Sequence, residues 1–159
     1  MKTIIIGAGA AGLMAACSAG ESGDEVILIE KNDRYGKKLS ITGKGRCNVT
    51  NHCSRDELIK NIPVNGRFLF GAFSRFDSNS TMEFFENAGV SLKTERGNRV
   101  FPVSDRSQSV LDALVRFLHE NHVQLLPRRV TELAAAGGRV TGVKTESGPI
   151  PADCVILAT

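Results

Sequence analysis

The sequence predicts an α/β fold built on a parallel sheet, and three observations carry that prediction. Lys2 to Ile6 is an apolar, β-branched run suited to a buried parallel strand. It stops at Gly7, and Gly7, Gly9 and Gly12 follow the G-x-G-x-x-G spacing of a strand–turn–helix that cradles a dinucleotide pyrophosphate. A second apolar run, Glu25 to Ile29, ends in the carboxylate of Glu30. That is about 20 residues past the glycines, where an acid accepts hydrogen bonds from the hydroxyls of an adenosine ribose.

The elements follow in order. Gly7 permits a tight turn, Gly9 lets a backbone approach phosphate, and Gly12 lets the next helix sit close to the strand. Leu13 to Glu21 is rich in alanine, as a helix pressed on a sheet requires, and Gly23 is a candidate C-cap. The helix start offers free N–H groups and a positive dipole end to phosphate. A carboxylate at Glu30 receives both ribose hydroxyls and repels a 2′-phosphate, which selects FAD or NAD over NADP. Lys31 beside it either softens that repulsion or is simply solvated, the commoner role for a lysine after a strand.

Residues 36–51, GKKLSITGKGRCNVTN, form a second glycine-rich segment. Gly43 and Gly45 bracket Lys44, and Arg46, Asn48, Thr50 and Asn51 add polar groups, the composition of a loop that wraps a ligand. Six of the eight phenylalanines fall between Phe68 and Phe85, which marks core or an interface, with a substrate or flavin wall as the alternative. Ser80 with Glu83 reads as a capping box opening a helix over Thr81–Asn87, ended by Gly89. Ser91 to Phe101, with Gly97-Asn98 inside it, reads as a hairpin.

Ser104 or Ser107 caps a helix reaching about Asn121, with Val110, Leu111, Leu114, Phe117 and Leu118 as its apolar stripe. His119 suits the last turn as a dipole partner. Val123 to Leu126 reads as a third parallel strand. Val130–Ala135 and Arg139–Thr145 form a hairpin around Gly137-Gly138, Gly148-Pro149 is a turn, and Cys154–Ala158 closes the sheet.

Composition narrows the function. The 159 residues suffice for one domain with a core, and 42% hydrophobic with 23% charged residues is ordinary for a globular protein. No apolar run reaches membrane-span length, and a strand rather than a signal peptide opens the chain, so the expectation is a cytoplasmic protein without a membrane partner. Cys17, Cys47, Cys53 and Cys154 fit no disulfide framework or zinc spacing, so no metal is expected. Of the net charge of +3, residues 31–52 alone hold six bases against one acid. An anionic cofactor explains that cluster better than nucleic acid, since only Tyr35 supplies an interleaved aromatic ring.

GAGAAGLMAA (7–16), Glu30 and GKKLSITGKGRCNVTN (36–51) together resemble the FAD-binding flavoproteins grouped as BaiN-like or aminoacetone-oxidase-family oxidoreductases. The resemblance runs the length of the chain. It implies a Rossmann-like, glutathione-reductase-type FAD-binding domain over 1–159, with a parallel sheet and an inserted β-meander. It puts Gly7, Gly9, Ala10, Ala11 and Gly12 at the pyrophosphate, and Glu30 with Lys31 at the ribose. Lys38, Leu39 and Gly43 follow the cofactor, while Arg46, Cys47 and Asn48 approach its flavin half. Val130 touches adenine through its backbone, and Ala158 and Thr159 end the last strand beside the cofactor. Members of that family continue into a substrate domain and a late FAD-closing segment, so the chain reads as a truncated, N-terminal part.

The function expected is the FAD-binding portion of a flavin-dependent oxidoreductase, with a small-molecule substrate and NAD(P)H as a candidate electron donor. The alternatives are an NAD-binding dehydrogenase and a non-catalytic nucleotide-binding fragment. No side chain is named as catalytic. Cys47 is the one reactive candidate, and without a CxxC partner a structural thiol is the commoner role.

Overall fold

A computed structural model describes residues 1–159. In chain order it contains β1 (Lys2–Ile6), α1 (Ala10–Glu21), β2 (Glu25–Glu30), α2 (Lys37–Ile41), β3 (Thr50–Asn51), α3 (Arg55–Lys60), α4 (Phe70–Phe73) and α5 (Ser78–Asn87). There follow β4 (Leu92–Glu95), β5 (Arg99–Pro102), α6 (Ser107–Glu120), β6 (Gln124–Pro127), β7 (Val130–Ala136), β8 (Arg139–Thr145), β9 (Gly148–Pro151) and β10 (Cys154–Leu157). The chain divides into two compact units, residues 1–39 with 114–159, and residues 40–113. No helix is long and apolar enough to cross a membrane.

The first unit is built on a four-stranded sheet in the order β10-β1-β2-β6, parallel throughout. Ile4 pairs with Val155 on one side and Ile27 on the other, and Leu28 pairs with Leu125. These strands are apolar because a parallel sheet is covered on both faces. Ile4, Ile5 and Leu28 are fully buried, as are Leu13 and Ala16 of α1. The antiparallel meander β7-β8-β9 closes over the sheet through Val143, which packs with Ile4, Ile27 and Ile29. Gly148-Pro149 begins the third strand of that meander instead of forming a turn, because Thr145 and Gly148 already pair across β8 and β9.

The second unit carries the antiparallel sheet β3-β5-β4, in which Val100 is flanked by Thr50 and Thr94. The β4–β5 hairpin is the one expected from Gly97-Asn98. The helix after it starts at Ser107; Ser104 accepts the Arg106 N–H just ahead of that start. Along α6, Val110, Leu114 and Leu118 are buried as the apolar stripe requires.

One expectation changes in the second unit. Helix α5 opens at Ser78, three residues earlier than the capping box places it, because Asp77 is the N-cap. The Asp77 carboxylate accepts from both N–H and hydroxyl of Ser80, so Ser80 donates where it was expected to accept. An ionised acceptor at a helix start outcompetes a hydroxyl there. Within residues 36–51, α2 runs into a kinked turn at Thr42–Gly45, in which Gly43 (φ +57°) and Lys44 (φ +60°) take left-handed backbone. The phenylalanines divide, with Phe85 buried, Phe84 meeting Phe76 and Phe85 edge-on, and Phe68 and Phe70 exposed.

Candidate functional site

The turn from β1 to α1 is a backbone construction. The Gly7 N–H donates to Ile29 O at 2.8 Å, and the Ala158 N–H donates to Ile6 O at 2.9 Å, so the turn stands above the ends of β2, β1 and β10. Gly9 is the N-cap of α1 and brings no side-chain cap, and the first turn of α1 contains no acid. The N–H groups of Ala10, Ala11 and Gly12 are therefore presented without a side-chain acceptor at a positive dipole end.

The three glycines differ in what they avoid. Gly7 has φ +101°, and a Cβ there would sit 2.7 Å from Ala158 O. A Cβ on Gly12 would lie 1.7 Å from Gly7 O. These two glycines are demanded by the protein's own packing. Gly9 has φ −76° and ψ −174°, open to any residue, and a Cβ there would meet nothing within 4 Å. Its missing side chain serves nothing inside the protein, which is what a cradle for an external phosphate group looks like.

Glu30 closes the other side. It is 8% exposed. Its Oε2 accepts the Ala8 N–H at 2.9 Å, and its Oε1 accepts the Asn32 N–H at 2.8 Å and the Asn32 amide at 2.6 Å. Burial pushes the carboxyl up, but the Ala8 and Asn32 donors outweigh it and hold Glu30 below its usual value. It is thus ionised at neutral pH. These donors fix the carboxylate in place at the end of β2.

A cleft of about 390 Å³ runs between these parts. Of the residues expected at the cofactor, Gly7, Gly9, Glu30, Lys31, Lys38, Val130, Ala158 and Thr159 line it. Ala10, Ala11 and Gly12 form the first turn of α1, and Leu39 lies on α2 beside Lys38. Glu30 is the single acid in the lining, against Lys31, Arg34, Lys37, Lys38, Arg128 and Arg129. Arg128 and Arg129 escaped the sequence argument. They follow β6, whose Pro127 lies in register with Glu30, and their signal was the Arg pair at the end of a strand.

Gly43, Arg46, Cys47 and Asn48 belong to the second unit and are absent from this lining. Their contacts are with their own unit. Gly43 (φ +57°) leaves room for Phe101, whose ring a Cβ would meet at 2.7 Å. The Arg46 guanidinium lies 4.0 Å over that ring and pairs with Glu95 at 2.9 Å and Asp105 at 3.2 Å. Cys47 is buried, and burial pushes its thiol up, away from the reactive thiolate. With its amide nitrogen toward the strands, Asn48 donates to Val100 O at 3.2 Å and Thr50 O at 3.0 Å.

Comparison with known proteins shows the family and the fold. The chain is 34% identical over 161 residues to the 3-dehydro-bile acid delta(4,6)-reductase of Clostridium scindens, covering 97% of this chain and 37% of that protein. It is 28% identical over 158 residues to the ribosomal RNA dihydrouridine synthase of Escherichia coli, covering 98% and 38%. The chain therefore spans little more than a third of the length of these curated relatives. Among solved structures, the 3-ketosteroid-delta4-(5alpha)-dehydrogenase of Rhodococcus jostii superposes with a TM-score of 0.76 at 15% identity, covering 99% of this chain and 45% of that one. The L-proline dehydrogenase of P. horikoshii superposes with a TM-score of 0.67 at 16% identity, covering 99% and 52%. The HI0933-like protein Rossmann domain model matches residues 1–159, and the chain belongs to that family.

Proposed function

We propose that the chain is the FAD-holding part of a flavin-dependent oxidoreductase, with the adenosine diphosphate half of the cofactor in the cleft of the first unit. The observation that carries this reading is the vacant Cβ position of Gly9, in one cleft with an ionised Glu30. The reductase name of the Clostridium relative and the resemblance of residues 7–16 and 36–51 support it.

In this reading the N–H groups of Ala10, Ala11 and Gly12 bind the pyrophosphate, and the surrounding cations offset its charge. Glu30 accepts the hydroxyls of the adenosine ribose. Asn32 and the Ala8 N–H hold the carboxylate in place for them. Val130 and Arg128 flank the adenine end of the cleft. When bound, the isoalloxazine supplies the hydride or electron chemistry. An organic substrate and an NAD(P)H-class donor complete the reaction.

The test is equilibrium binding of FAD, ADP and FMN to the purified chain. FAD binding that ADP competes away and FMN does not is expected, because the cleft recognises the adenosine half. FMN binding as tightly as FAD, or no binding of either FAD or ADP, sinks the reading. Preference for NAD over FAD would favour the dehydrogenase alternative, which needs only the first unit's turn and Glu30.

A further inference from the structure

The second unit contains a larger cavity, about 770 Å³, of whose lining only Asn48 figures in the cofactor expectation. That volume suits a small organic ligand. Its walls come from β3, the tip of the β4–β5 hairpin, α3, and the chain from Phe73 to Thr81. Leu58, Ile62, Phe73 and Phe76 give it an apolar side.

Its polar side has a definite sign. The charged residues in the lining are Glu57 and Asp77, and no Lys, Arg or His joins them, in a chain whose net charge is +3. Asp77 is held below the usual carboxylate range by the Ser80 N–H, and Glu57 helps to push the Cys53 thiol up, after burial. Both acids therefore bring negative potential to the cavity wall.

The hydrogen-bond ledger points the same way. The Thr50 hydroxyl donates to Ser78 Oγ at 3.3 Å, Ser78 donates to Asn51 O, and Thr81 donates to Asp77 O at 2.7 Å. All three hydroxyl hydrogens are thus spent inside the protein. Asn48 spends both amide hydrogens on Val100 O and Thr50 O. Asn51 donates to Gly97 O at 3.3 Å and Asn61 to Glu57 O at 2.8 Å. Asn51 and Asn61 each keep one amide hydrogen and Asn98 adds a further amide, but the unused lone pairs of the carboxylates, hydroxyls and amide oxygens outnumber these donors.

We propose that this cavity binds an organic cation: an ammonium, amidinium or guanidinium group carried on an apolar body. The N–H groups of such a ligand meet the surplus acceptors and the two carboxylates. Its body lies against the aliphatic and phenylalanine wall, where the aromatic faces also favour a cation. The site lies wholly within the second unit and stands whether or not the first cleft holds FAD.

The test is a ¹⁵N-edited NMR titration of the chain with three isosteric probes: benzamidine, benzamide and benzoate. Benzamidine should shift the amides of Cys53, Asp77 and Asn98 saturably, benzamide should bind more weakly, and benzoate should leave them in place. Glu57→Gln, an exposed change, should weaken benzamidine about threefold without affecting benzamide. Absence of a saturable shift at those amides overturns the proposal. So does benzamide or benzoate binding as tightly as benzamidine, or an unchanged benzamidine affinity in E57Q.

Discussion

Two cavities of this chain, one in each unit, are opposites in material and in charge. The first-unit cleft is made of backbone: a glycine turn, the N–H groups of a helix start, and one fixed carboxylate among six cations. The second-unit cavity is made of side chains from four separate stretches, with acceptors in surplus and two acids in its wall. A backbone cradle fits any ligand with a diphosphate, so it suits a cofactor shared by many proteins. A side-chain cavity is specific to its ligand, so its residues vary with what it holds. One molecule thus combines a general device with a particular one.

The contrast is sharpest within the glycine turn. Gly12→Ala places a methyl carbon 1.7 Å from Gly7 O, an overlap that no rotamer relieves. We expect a loss of several kcal/mol, about 3 or more, read as a lower midpoint in urea unfolding. Gly9→Ala adds the same methyl into open space. Its stability should stay within about 0.5 kcal/mol of the parent. Its FAD affinity should fall by about 2 kcal/mol, or roughly thirtyfold, as overpacking against a phosphate would cost. If Gly9→Ala destabilises the fold as Gly12→Ala does, the middle glycine is structural and the cradle argument fails.

The same contrast explains what the sequence reveals. Glycine spacing encodes backbone geometry locally, so β1, the turn, α1 and Glu30 could be placed from residues 1–30 alone. Arg128 and Arg129 could not, because they enter the cleft only through the parallel pairing of β6 with β2. The strand itself is legible locally, but which strand it lies beside is not. Residues 43–48 carry two demands at once: their glycines and polar groups read as a ligand loop, while within the second unit Gly43 makes room for Phe101 and Arg46 pairs with Glu95 and Asp105. Left-handed backbone in tight packing and left-handed backbone around a ligand share one residue grammar. Asp77 was overlooked for a related reason: Ser80 and Glu83 satisfied the same local rule from a later start.

Glu30 joins the general device to fold stability. Its folded carboxyl titrates below the ordinary 4.5. Its stabilising effect is therefore complete above the unfolded value and fades as pH falls through the lowered folded one. Glu30→Gln should cost about 1 kcal/mol at pH 7 and less at pH 3, from paired urea titrations. An equal cost at both pH values would mean that shape, not charge, is what Ala8 and Asn32 hold.

The smallest effect belongs to Arg46, and it separates an internal clamp from a cofactor contact. The guanidinium joins a chain of ion pairs, Arg46–Glu95, Arg46–Asp105 and Lys93–Asp105, at 2.9, 3.2 and 2.7 Å. These groups face water, so salt screens them and their contribution is modest. Arg46→Met keeps much of the aliphatic cover over Phe101 and removes the charge. We expect its unfolding midpoint to drop less than that of Glu30→Gln, and the difference from the parent to shrink as salt rises from 0.05 to 1 M. FAD affinity should not change, since the guanidinium is committed within the second unit. A large loss of FAD binding with unchanged stability would show that Arg46 leaves its carboxylates for the cofactor, and would join the 43–48 segment to the ligand after all.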